Sequence, residues 1–62
     1  MDEDSDADLV RITAASYIGR LGAVGAIVEL LQQRDLATYS GDALSAAAWA
    51  DIVTAAFQQI LG

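Results

Sequence analysis

The chain has 62 residues, of which 55% are hydrophobic, and a formal net charge of −6 from nine acidic residues and three arginines. This length allows one small domain, and such domains usually depend on disulfides, a bound metal or another subunit for stability. The chain has no cysteine or histidine, which excludes disulfides and argues against a metal centre. We therefore expect the functional unit to contain more than one chain.

The charge balance argues against nucleic acid as a partner. Binding to phosphates requires clustered positive charge, and the only basic residues are three separated arginines. Two interpretations of the acidity stay open. It keeps a hydrophobic chain soluble, or it docks the protein onto a basic protein surface as a polyanion mimic would.

Residues 1–5 are predicted to be an acidic disordered arm, followed by a single helical-hairpin domain over residues 6–62. Asp4, Asp6 and Asp8 alternate along the chain as calcium ligands do in a helix–loop–helix site. Counting from Asp4, however, the sixth position is Leu9 where glycine is needed, and the twelfth is Ala15 where glutamate is needed. We expect no metal and no cofactor.

Helix 1 is predicted from about residue 6 to about residue 34. Its large apolar residues recur at spacings of three and four, which is typical of one face of a continuous helix. This core stripe consists of Val10, Ala14, Tyr17, Leu21, Val24, Val28 and Leu31.

A second face of helix 1 carries only small residues at the same spacings: Ala15, Gly19, Gly22 and Ala26. Three glycines inside one helix cost about 2–3 kcal/mol relative to alanine, and close approach of another helix would compensate. Either helix 2 of the same chain packs on this small seam, or helix 2 covers the core stripe and leaves the seam as an interface for another chain. We prefer the second interpretation.

A connection is predicted over residues 35–44, with a turn at Ser40-Gly41-Asp42. Helix 2 is predicted over about residues 46–61, with Ser45 as its N-cap and a hydrophobic staple between Leu44 and Trp49. Its apolar residues segregate cleanly onto one core face. That face consists of Trp49, Ile52, Val53, Ala56, Phe57 and Ile60.

A membrane-spanning role is disfavoured, although residues 12–31 are long and apolar enough for one. Arg20 lies near the middle of that stretch, where a charge is costly, and no basic flank sets an orientation. We expect Arg20 to lay its stem over apolar surface, or to form an ion pair across an interface. The N-terminus is acidic where a secretory signal is basic, so a cytoplasmic location is expected.

The residues offer little for catalysis, because general acid–base and nucleophilic chemistry usually recruit His, Cys or Lys. The sequence therefore predicts an all-α antiparallel helical hairpin that completes a four-helix bundle by oligomerisation. Its expected function is non-enzymatic protein–protein interaction, with itself or with a larger assembly. The alternatives are a small acidic inhibitor that binds a basic protein surface, and a membrane-associated helical subunit.

Overall fold

The computed structural model describes the backbone of residues 3–62 and the side chains of residues 7–62. It contains two helices, α1 (Glu3–Tyr39) and α2 (Ala43–Leu61), which pack against each other as a helical hairpin. The predicted all-α hairpin is therefore confirmed. Of the expected acidic arm, Met1 and Asp2 lie outside the described residues, whereas residues 3–5 already belong to α1.

α1 is sharply bent at Gly22, where φ is 77° and ψ is 171°. This combination lies in a region of backbone space that is essentially restricted to glycine. A straight helix of 37 residues would be about 55 Å long, yet the longest dimension of the molecule is 31 Å. The prediction of one continuous helix is therefore wrong. α1 consists of a first arm, residues 3–21, and a second arm, residues 23–39.

The connection between the helices is shorter than predicted. α1 continues to Tyr39, five residues beyond the expected end, and only residues 40–42 separate it from α2. The amide of Asp42 donates to the carbonyl of Ala37 (2.9 Å) and the amide of Gly41 to that of Thr38 (3.1 Å). These two bonds form a Schellman motif. The motif needs a left-handed residue before Asp42, and Gly41 provides it with φ of 80°.

Asp42, and not Ser45, is the N-cap of α2. Its carboxylate accepts hydrogen bonds from the amide of Ser45 (3.1 Å) and from the Ser45 hydroxyl (2.8 Å). These bonds lower the pKa of the Asp42 carboxyl below its usual value of 3.8. The predicted cap and staple are wrong because Asp42 caps the amide of Ser45 and α2 already begins at Ala43. Leu44 therefore lies inside the helix and is largely exposed.

The hydrophobic core is small and built mainly from alanine. Among residues 7–62, seven hydrophobic side chains are buried, and only Leu30 is both large and fully buried. The others are Ala14, Ala26, Ala37, Val53, Ala55 and Ala56. Alanines allow helices to approach closely, but each removes little apolar area from water, so the transfer free energy gained by this core is modest.

Two long-range contacts hold the first arm against α2. The ring of Tyr17 meets the ring of Trp49 edge-on, with centroids 6.3 Å apart, and both residues pack on the core. The side-chain Nε2 of Gln59 donates a hydrogen bond to the backbone carbonyl of Arg11 over 3.0 Å. Because the bend at Gly22 turns the chain back, both arms of α1 contribute residues to the same core around α2.

Candidate interaction surface

An apolar groove of about 310 Å³ lies between the second arm of α1 and the C-terminal half of α2. None of the described residues that line it is ionisable. They are Ala23, Val24, Ile27, Val28, Phe57, Ile60 and Leu61, and this set is called the apolar groove below. Such a lining offers no group for acid–base or nucleophilic chemistry, and it is suited to burying another apolar surface.

The two helices position the groove through ordinary helical spacing. Val24 and Val28 are four residues apart and share one side of the second arm, and Phe57 and Leu61 do the same on α2. Val24 and Leu61 are 78% and 82% exposed, whereas Ile27 reaches down to the core. The groove is thus an extension of the core that opens to solvent.

The predicted small seam does not form one surface. Because Gly22 leaves the helical conformation, the residues before and after it are no longer in register on one face. Ala26 is fully buried within the chain, while Ala15 is exposed and Gly19 faces open space, where a Cβ would meet no side chain other than those of its chain neighbours within 4 Å. The prediction that the small seam forms one continuous surface is therefore wrong. An interface at Ala15 and Gly19 stays a prediction.

The predicted core residues divide into two groups. Eight are buried or partly buried and pack in the core: Val10, Ala14, Tyr17, Leu31, Trp49, Ile52, Val53 and Ala56. Five are exposed: Leu21, Val24, Val28, Phe57 and Ile60. The prediction that these five residues are buried within a single chain is wrong. In the second arm the buried residues are Ala26, Leu30 and Ala37 instead of Val24 and Val28. Four of these five exposed residues line the apolar groove.

Sequence reasoning missed the groove as a site and missed Leu30 as a core residue. Both errors arise because the prediction continued one helical pattern through Gly22, where the helix bends. A second set of residues at helical spacing, Ala26, Leu30 and Ala37, lies off the predicted stripe. This set was the sequence feature that indicated a different buried face for the second arm.

Charged side chains lie away from the groove lining. The guanidinium of Arg20 sits over the ring of Tyr17, 5.0 Å from its centroid. This contact is made by the charged head of Arg20, so the predicted packing of its stem on apolar surface and the predicted ion pair across an interface both stay predictions. The other two arginines pair with neighbouring carboxylates, Arg11 with Asp8 and Arg34 with Asp35, at exposed positions.

Two further clefts mark the surface of the described residues, and both carry polar groups. One of about 740 Å³ lies between the first arm and α2, with the carboxylates of Asp8 and Asp51 on its walls. The other, of about 460 Å³, is lined by Gln32, Asp35, Leu36 and Tyr39. Within residues 7–62, no three acidic side chains come close enough together to hold a metal ion.

The segment Ala7–Tyr39 is long and apolar enough to cross a membrane by length and composition alone.

Comparisons with protein-family models, with curated proteins and with solved structures found no match to this chain.

Proposed function

We propose that this chain is a non-enzymatic helical protein that acts through protein–protein contacts, as a self-associating bundle or as a small subunit of a larger assembly. The proposal rests on the difference in size between the hydrophobic residues that are buried and those that are exposed. Five of the seven buried hydrophobic residues are alanines, while eleven large hydrophobic residues among the described ones are exposed. Chains of this size usually depend on disulfides, a metal or another subunit for stability, and the absence of cysteine favours another subunit here.

The preferred assembly is a four-helix bundle made by two copies. The second arm of α1 and α2 are already an antiparallel pair joined by a tight turn. Two such pairs stacked face to face satisfy the geometry of a four-helix bundle. The first arms would then lie outside the bundle, each held to its own α2 by the contact between Tyr17 and Trp49.

Chemical unfolding at several protein concentrations tests this proposal. If association stabilises the native state, the urea midpoint rises with protein concentration, because dilution favours dissociated and unfolded chains. The comparison is made by circular dichroism at one temperature and pH. A midpoint that stays constant over a hundredfold concentration range contradicts a self-associating function.

A second candidate is a membrane-associated subunit, which is favoured by the apolar character of Ala7–Tyr39. Flotation with neutral phosphatidylcholine vesicles tests this candidate without relying on charge. Protein that floats with the vesicles supports it. Protein that stays in the aqueous fraction, while its urea midpoint depends on concentration, supports the bundle.

A further inference from the structure

We propose that the apolar groove is the dimer interface and that its occupant is the same groove of a second copy of this chain. The inference rests on the proposed function and specifies where the chains meet. Its starting point is that two independent properties converge on one place. The sequence pattern marks Val24, Val28, Phe57 and Ile60 as core residues, and the fold of a single chain leaves these four together around one open groove.

The size of this surface reaches the minimum for a small specific dimer interface. The exposed fractions of Val24, Val28, Phe57, Ile60 and Leu61 correspond to an apolar area on the order of 500 Å² per chain. Two copies meeting through this surface therefore bury on the order of 1,000 Å², which reaches the lower limit for a specific interface.

The charge of the chain does not prevent a second copy from occupying this surface. Each chain carries a net charge of −6, so two copies repel each other wherever their acidic residues approach. The described residues that line the groove are all uncharged, which makes it a place where like-charged chains can meet without burying a carboxylate.

A two-fold axis accommodates this contact, because an isologous interface uses the same patch on both subunits. The open groove has projecting rims, Val24 from the second arm and Leu61 from α2, and a recessed floor at Ile27. Rims of one copy can therefore enter the groove of the other. The contact closes on itself and predicts a discrete dimer rather than a growing polymer.

The test is the dimer dissociation constant of the full chain, measured by sedimentation equilibrium for the wild type and for matched glutamate variants. Val24→Glu places a charge in the groove and raises the dissociation constant about a hundredfold or more, because the carboxylate must lose its hydration on association. Leu36→Glu is the control. It replaces another exposed apolar residue of the second arm, 63% exposed and outside the groove, and leaves the constant within about threefold.

Leu61→Glu places a charge on the other rim of the groove, and its dimer dissociation constant is measured in the same way. If Val24→Glu loses helicity in the far-ultraviolet spectrum, the result for Leu61→Glu replaces it as the test. Dimers that persist in a helical groove variant overturn the inference and leave the proposed function standing. Dimers lost through Leu36→Glu but kept in Val24→Glu and Leu61→Glu also overturn it. A wild type that is monomeric throughout contradicts self-association itself, and with it this interface.

Discussion

The ring of Tyr17 lies edge-on against the ring of Trp49, with an interplanar angle of 85° and centroids 6.3 Å apart. The guanidinium of Arg20 lies over the same tyrosine ring, 5.0 Å from its centroid. This aromatic pair joins the first arm of α1 to α2 across the chain, and it supplies large apolar side chains to a core that consists mainly of alanine.

Trp49→Ala should lower the free energy of unfolding by about 2–3 kcal/mol. A fully buried tryptophan costs about 3–5 kcal/mol on truncation, and Trp49 is only partly buried. Urea unfolding at one fixed protein concentration measures the change. The control is Tyr39→Ala, which removes an aromatic ring that is 93% exposed and should change stability by no more than about 0.5 kcal/mol. Equal losses in the two variants would contradict the described packing.

Gly22→Ala and Gly19→Ala should change stability in opposite directions. Alanine at position 22 meets a backbone with φ of 77° and ψ of 171°, and the strain costs about 1–3 kcal/mol. Gly19 is helical and faces open space, where a new Cβ would meet no side chain other than those of its chain neighbours within 4 Å, so alanine there should stabilise by about 0.5–1 kcal/mol. Thermal and urea unfolding measure both. Stabilisation by Gly22→Ala would show that the bend is not required.

Asp42→Asn should reduce the loss of stability that acid causes. The hydrogen bonds from Ser45 hold the folded pKa of Asp42 below 3.8. The ionised cap therefore stabilises fully above the unfolded value, and this contribution disappears as the pH falls through the lower folded pKa. An asparagine cap still accepts from the Ser45 amide but does not titrate there. Urea midpoints of both proteins across the acid range check this, and parallel pH profiles would contradict it.

Salt should not dissociate the assembly. Two copies of net charge −6 repel each other, and about 0.5 M salt screens that repulsion over distances beyond a few ångströms. The dissociation constant of an apolar dimer should therefore stay constant or fall as sodium chloride is added. Complexes held by acidic residues on a basic partner weaken under the same conditions. An increase in the dimer dissociation constant with salt would favour the electrostatic alternative.

Helical periodicity predicted two helices and the part of the core that surrounds Tyr17 and Trp49, because each helical segment obeys its own spacing. It failed at Gly22, where the apolar pattern continues through a residue whose backbone is not helical. Local spacing carries no information on that change of direction. The cap of α2 was missed for a related reason, since Asp42 and Ser45 are both good cap residues and only the Schellman turn selects Asp42.

Both the sequence pattern and the fold were needed to locate the candidate interaction surface. The sequence identified Val24, Val28, Phe57 and Ile60 as residues that avoid water, and the fold placed them around one groove without covering them. Neither the sequence pattern nor the exposure alone distinguishes a residue wrongly predicted to lie in the core from a residue that contacts another chain. Together they indicate a surface that a second chain is expected to bury.

Self-association into a closed dimer is measured by the absolute mass in solution across a hundredfold concentration range. The monomer mass is 6.5 kDa, and we expect the mass to rise to a plateau at twice that value, with no further growth at the highest concentrations. A plateau at twice the monomer mass agrees with a closed two-fold contact. A constant 6.5 kDa over the whole range would contradict the claim that this small alanine-rich core is completed by a second copy.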